Sequence, residues 1–215
     1  MPVWDAEAAV RRATGAHGAH RAGTLLRAVM RAFAQFDNLV PPEQLHAAQR
    51  YFATSVRWQY GWPQGTEDPF SHWNIDFLKA KLENQENLED ELRGEPAFAP
   101  LARIWDTMQE GPMHGHQLVR CYANAHTYGV EGYLHRDSQQ ADNYTVLVYL
   151  NPVWKTDWAG ELLFFDATGD VLHAVSPRPG RVLTFPGDVR HAARAVSRTC
   201  PAIRVSLAFK TRIAS

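Results

Sequence analysis

Only two cysteines occur in the 215 residues, Cys121 and Cys200, and they form no CxxC pair. Thiolate zinc fingers and disulfide-dense secreted scaffolds are therefore excluded. The pair leaves room for one disulfide, but two buried thiols in a reducing cytosol is the expected state. An excess of one charge is lacking too. Lys and Arg number 22 against 23 Asp and Glu, a formal net charge of −1, and the basic residues are scattered among acids rather than striped. That balance offers no footing on nucleic acid or on an anionic membrane. No apolar run is long enough to span a bilayer. The most apolar, "YTVLVYLNPVW", has the composition of a strand. The opening residues, "MPVWDAEAAVRRATG", hold no apolar stretch of signal-peptide length. Internal repeats and low-complexity tracts are absent as well. These absences predict a soluble, cytoplasmic protein with neither nucleic-acid nor membrane partners; they leave its oligomeric state open.

What is present is the material of one ordinary globular domain. The hydrophobic fraction is 45% and the charged fraction 21%, and the length suffices for a single sizeable core. The expectation is a single domain over 1–215, in two halves of different periodicity. Residues 1–115 read as a helical buttress with substrate-side loops. Leu26, Val29, Met30 and Phe33 follow a 3.6-residue period, as do Leu45, Ala48 and Phe52, and again Leu101, Ile104, Trp105 and Met108. Between the last two sets, "VRWQYGWPQGTEDPFSHWNIDF" reads as a long irregular loop. Residues 116–213 change character. "HQLVRCYA", "NYTVLVYLN", "GELLFFD", "DVLHAVS", "GRVLTFP" and "AIRVSLAFK" are short β-branched and aromatic runs, separated by Gly, Pro, Asn and Asp clusters. The fold predicted is α+β and mainly β: a jelly-roll core with N-terminal helices packed against it.

Ten histidines give this chain its chemistry, and "GYLHRDS" gives the pattern. In an extended segment residues i and i+2 share a face, so His135 and Asp137 converge while Arg136 turns away. An imidazole and a carboxylate suit a divalent metal such as Fe(II), and a third ligand, His191 in "FPGDVRHAARAV", completes a 2-His-1-carboxylate triad with open positions. Alone, a His-x-Asp pair is common polar sequence. A kinase reading of "HRD" fails because no Gly-rich loop precedes it and no DFG follows. The decisive companion is "RVSLAFK", where Arg204 and Ser206 share a strand face. An arginine pointing into a β-core is costly unless an anion meets it, and a bidentate carboxylate is the natural partner.

These residues together resemble a known family. From Gln117 to Lys210, through "RCYANAHTYGVEGYLHRD", "VLVYLNPVWKTDWAGELLFFD", "PRPGRVLTFPGDVRHAARAV" and "IRVSLAF", the chain is similar to the Fe(II)/2-oxoglutarate-dependent dioxygenases of the prolyl-4-hydroxylase-like branch. The resemblance implies a double-stranded β-helix and Fe(II) held by His135, Asp137 and His191. It also implies 2-oxoglutarate with its distal carboxylate on Arg204 and Tyr149, Tyr122 and Ser206 beside it, and O2 as oxidant with ascorbate a candidate reductant. The implied reaction hydroxylates a C–H bond and releases succinate and CO2. Because the carboxylate ligand is present, halogenation, which needs a small residue there, is disfavoured. One departure is Ala159-Gly160 where the family has Gly-Gly, a change expected to leave the site undisturbed. Asn124, His126, Arg120, Trp73, Trp154 and Arg194 are the candidates for substrate contact, and a small polar or amino-acid-like molecule is the expected substrate. A peptidyl prolyl substrate, a cupin-like enzyme without 2-oxoglutarate and a non-catalytic β-sandwich that keeps a structural metal are the competing readings.

Overall fold

A computed structural model of the chain describes residues 33–61, 72–78 and 86–214. Its helices begin where the sequence favours a start. Helix α1 (Pro42–Thr54) opens with proline in its first turn, where a missing N–H costs nothing, and Glu43 adds a favourable charge there. Its Ala48 and Phe52 are buried. The short α2 (Glu89–Gly94) has three acids in its first turn and Arg93 in its last. Helix α3 (Ala99–Gln109) again carries proline at its start and buries Leu101, Ala102, Ile104, Trp105 and Met108.

Among the described residues there are ten strands, in chain order: β1 (Ala34–Phe36), β2 (Gln59–Tyr60), β3 (Trp73–Leu78), β4 (His116–His126), β5 (Asn143–Tyr149), β6 (Leu162–Phe165), β7 (Val171–Val175), β8 (Val182–Pro186), β9 (His191–Ala193) and β10 (Arg204–Ile213). They form a seven-stranded sheet ordered β1-β8-β5-β10-β4-β3-β2 and a three-stranded sheet ordered β7-β6-β9. Every pairing is antiparallel. The protein is therefore mainly β, a double-stranded β-helix with a few helices.

Strand alternation divides the large sheet into two chemistries. On β10, Leu207 and Phe209 join Val146 and Val148 of β5 and Cys121 and Ala123 of β4 in one apolar cluster with α1 and α3. Trp105 meets Phe209 there at 5.4 Å between ring centroids. The opposite face of the same strands presents Arg204, Ser206 and Lys210 from β10, Thr145, Leu147 and Tyr149 from β5, and Tyr122, Asn124 and His126 from β4. A second cluster, with Leu162, Phe164, Leu183 and Phe185, closes the space between the two sheets beside that polar face.

The N-terminal half is less helical than its periodicity suggests. Trp73–Leu78, inside the supposed irregular loop, is a strand paired to β4, and Gln59–Tyr60 pairs to it in turn. Phe33 is not helical. Its ring packs on Phe164 and His173, each 5.1 Å away. Its expected helix partners Leu26, Val29 and Met30 lie outside the described residues. Sheet edges recruited β1, β2 and β3 because an unpaired strand edge is a strong local attractor for any extended segment. Both cysteines are free, and Cys121 is buried. Among the described residues no helix is long and apolar enough to cross a membrane.

Candidate metal centre

His135 and His191 are placed by the backbone. Each donates its N–H to the other's carbonyl, at 3.1 and 3.0 Å, in an isolated antiparallel bridge, and Asp137 N–H is held by Gly187 O at 2.8 Å. His191 opens its own short strand β9 rather than ending the strand before it. The imidazoles are oriented by the same device. Nδ1 of His135 lies 2.8 Å from Tyr133 O, and Nδ1 of His191 lies 2.8 Å from Val189 O. A carbonyl only accepts, so each Nδ1 carries the proton and each Nε2 presents a lone pair. Both lone pairs face Asp137, with Nε2 of His135 3.4 Å from Oδ1 and Nε2 of His191 3.5 Å from Oδ2. One ligand atom from each of the three lies within 4.8 Å of the others. With metal–ligand bonds of about 2 Å, such a set closes on one cation.

The electrostatics favour a ligand set ready to bind at neutral pH. Burial works to raise the Asp137 carboxyl, yet Lys210, His191 and His135 outweigh it and hold it well below the usual carboxylate range. Burial pushes the His191 imidazole down to about 4, so it is neutral. A carboxylate anion and neutral imidazoles are the forms that bind metal.

Deeper in the same cavity stands Arg204, 2% exposed. One terminal nitrogen donates to Gly160 O and the other lies 3.0 Å from Nδ1 of His126. Burial, with Arg204 and His72 beside it, drives the His126 imidazole far below its ordinary value, so this neutral ring accepts from the guanidinium. His72 stacks on His126, with ring planes 7° apart, and bonds Asn124 at 3.2 Å. Two buried polar atoms in this corner have no partner: Nε of Arg204 and the hydroxyl of Tyr149. Orphaned buried donors are costly, and the pair marks where an anionic ligand end fits. The empty space of the cavity, counting its open mouth, is about 600 Å³.

With this geometry in hand, residues 117–210 match the family model described as the 2OG-Fe(II) oxygenase superfamily. Over those residues, somewhat under half of the chain, the β-core is similar to that superfamily. It is an oxidoreductase core of the kind that uses Fe(II), 2-oxoglutarate and O2. A comparison with curated proteins found no match. Solved structures share the fold. A prolyl-4-hydroxylase from Pseudomonas putida is 18% identical at a TM-score of 0.57, covering 87% of this chain and 99% of its own. A prolyl hydroxylase from Trichoplax adhaerens, solved with a hypoxia-inducible-factor peptide, is 14% identical at a TM-score of 0.61, covering 94% and 96%. HygX from Streptomyces hygroscopicus, solved with nickel and 2-oxoglutarate, is 14% identical at 0.55, covering 84% and 82%.

The residues singled out from the sequence divide cleanly. His135, Asp137, His191, Arg204, Ser206, Tyr149, Tyr122, Asn124 and His126 all line the oxygenase cavity. Arg120, Trp73, Trp154 and Arg194 do not. Arg120 pairs with Asp76 at 2.8 Å and covers the outer side of the Tyr122 ring. Trp73 packs against Tyr60, Trp154 donates to Ala159 O, and Arg194 is half exposed beside Glu131. Sequence reasoning missed Lys210 and Thr145. Both continue the two-residue alternation that carries Arg204 and Ser206 on β10 and Tyr149 on β5, and that period was the signal available.

Ala159 has a cost that the sequence concealed. Its φ is +53° with ψ −142°, a conformation open to glycine but strained for an L side chain. Gly160 beside it is also at positive φ, and a Cβ there would lie 3.1 Å from Cδ of Arg204. The oxygenase therefore keeps the glycine that touches its arginine and tolerates strain at the neighbour. Ala159→Gly is expected to stabilise the fold by about 1 kcal/mol, measured by urea denaturation, with the affinity for 2-oxoglutarate unchanged.

Proposed function

We propose that this oxygenase hydroxylates a C–H bond of a small polar or amino-acid-like molecule, with 2-oxoglutarate passing to succinate and CO2. The observation that carries the reading is the pair of orphaned donors, Arg204 Nε and the Tyr149 hydroxyl, buried in the same cavity as the His135, Asp137 and His191 cluster. In this reading the triad holds Fe(II), and Arg204 with Tyr149 receives the distal carboxylate of 2-oxoglutarate through charge-assisted hydrogen bonds. Iron and 2-oxoglutarate supply the oxidising chemistry when bound. The protein's own residues orient and exclude water: the Tyr133 and Val189 carbonyls fix the ligand imidazoles, and Leu147, Leu162 and Phe185 supply apolar wall. Asn124 and His72 stand on the cavity wall as candidate polar contacts for substrate. The reading takes 1–215 as one domain; among the described residues, the sharing of the large sheet by β1, β2 and β3 with the strands that carry the site supports it. Two unpaired cysteines fit a reducing cytoplasm.

The names of the Pseudomonas and Trichoplax relatives favour a second reading, a peptidyl prolyl substrate. One experiment addresses both. Succinate release is measured with Fe(II), 2-oxoglutarate, ascorbate and O2 over a panel of free amino acids, small polar metabolites and prolyl peptides. Stimulation by a small molecule supports the proposal, and stimulation by prolyl peptides alone replaces it with the second reading. No succinate under any condition, together with no visible metal-to-ligand absorption on adding 2-oxoglutarate to the anaerobic Fe(II) protein, overturns both.

A further inference from the structure

Lys210 is a partly buried cation in the cavity that neither the triad nor the Arg204 corner explains. The alternation of β10 puts it on the face of Arg204 and Ser206, six residues or about 20 Å along the strand, at the metal end of the cavity. Its ammonium is fully engaged. It forms an ion pair with Oδ2 of Asp137, donates to Oγ1 of Thr145 at 2.9 Å, and bonds the Tyr122 hydroxyl. Thr145 in turn donates its hydroxyl proton to the same Oδ2 at 2.6 Å. The two oxygens of Asp137 each face a ligand imidazole, Oδ1 towards Nε2 of His135 at 3.4 Å and Oδ2 towards Nε2 of His191 at 3.5 Å, and they differ in what else they meet: Oδ2 alone receives an ammonium and a hydroxyl.

A carboxylate can meet a cation with one oxygen or with both, and the second oxygen takes a coordination position that a chelating co-substrate needs. Two donors on Oδ2 occupy the lone pairs that would turn toward the metal. We infer that Lys210, together with Thr145, is a positioning residue that holds Asp137 as a one-oxygen ligand and so keeps a coordination position open for 2-oxoglutarate. The inference rests on the ligand set proposed above. The arrangement has a consequence for affinity. An ammonium beside the ligand carboxylate repels a divalent cation, so Lys210 weakens metal binding while it favours the co-substrate. A residue with only a structural role would, on removal, weaken both together.

The test uses the full chain, Co(II) as an air-stable probe, and 2-oxoglutarate titrated into the Co(II)-loaded protein without substrate. Lys210→Met is expected to bind Co(II) about tenfold tighter and 2-oxoglutarate about tenfold weaker, the scale of ligand-supporting contacts. Lys210→Arg is expected to stay within about threefold of the wild type for both. Thr145→Val changes no charge; it is expected to weaken 2-oxoglutarate binding about threefold with Co(II) affinity held within that margin. This variant also carries the test if Lys210→Met does not fold. Parallel loss of Co(II) and 2-oxoglutarate affinity in Lys210→Met would overturn the positioning role. So would wild-type 2-oxoglutarate affinity in Thr145→Val, which would assign the effect to charge alone. A wild-type protein that takes up no Co(II) would instead remove the ligand assignment itself, an outcome distinct from both.

Discussion

Replacing His191 with alanine is expected to lower succinate release by more than about a thousandfold, a rise of at least about 4 kcal/mol in the barrier, and to end metal-dependent stabilisation. His135 and Asp137 come from one short segment two residues apart, whereas His191 arrives from β9 on the other side of the His135 bridge. Without it, two ligands remain on one side of the cation and nothing closes the set. The substitution also removes packing, because the His191 ring lies 5.0 Å from Phe185 and 4.4 Å from His135. That loss, about 1–3 kcal/mol for a buried side chain, lowers the stability of the metal-free protein and must be separated from the metal effect. Linkage separates them. At metal concentrations a hundred times Kd the wild type gains about 2.7 kcal/mol of stability, and the variant should gain none. Thermal unfolding with and without Co(II) reads the difference directly. A full metal-dependent shift in the variant would take His191 out of the ligand set.

How much of this was legible in the sequence depends on whether an element's signal was local. The strands of the second half, β4 to β8 and β10, announce themselves through alternating β-branched and aromatic residues between turn clusters, and each appears where that pattern put it. So do α1 and α3, where proline starts and apolar periodicity agree. The strand at Trp73–Leu78 did not. "WNIDFL" does alternate apolar and polar residues over its first five positions, but that short signal sits in an aromatic, proline-containing stretch that reads as loop, and its partner β4 supplies the register. Within the site, the residues whose chemistry is unusual for their setting were readable: a histidine-aspartate pair on one face and an arginine in a β-core. Lys210 was hidden because a lysine near the end of a terminal strand ordinarily turns to water, and only the approach of Thr145 from β5 and of Asp137 from the segment before it reveals what its ammonium meets. Trp154 and Arg194 misled for the converse reason. Aromatic and cationic side chains close in sequence to a site suit a ligand, but here a backbone carbonyl and Glu131 satisfy them.

Arg204→Met is expected to raise the Kd for 2-oxoglutarate by about a hundredfold while leaving the metal-free protein at least as stable as the wild type. The first half follows from what the guanidinium offers. Its Nε and the Tyr149 hydroxyl are unpartnered, and a carboxylate meeting them gains charge-assisted hydrogen bonds of about 1.5–3 kcal/mol, where each 1.4 kcal/mol is tenfold in affinity. The second half follows from what the guanidinium lacks. Among the described residues no carboxylate lies within ion-pair distance of Arg204, and burial lowers its pKa from the ordinary arginine value. A buried charge without a paired counter-charge is a burden that a methionine of similar length relieves. The neutral His126 and the Gly160 carbonyl, which now accept from Arg204, would lose a donor, and that loss partly offsets the gain. Arg204→Lys separates charge from shape, because an ammonium restores the charge without the planar fork. It should recover part of the affinity and show none of the stability that methionine gains by removing the buried charge. Titrating 2-oxoglutarate into the Co(II)-loaded variants, with urea unfolding of the metal-free forms, measures both halves. If Arg204→Met kept wild-type affinity for 2-oxoglutarate, the distal carboxylate would have to bind elsewhere, and Arg204 would be a structural group stabilised by His126 and Gly160 alone.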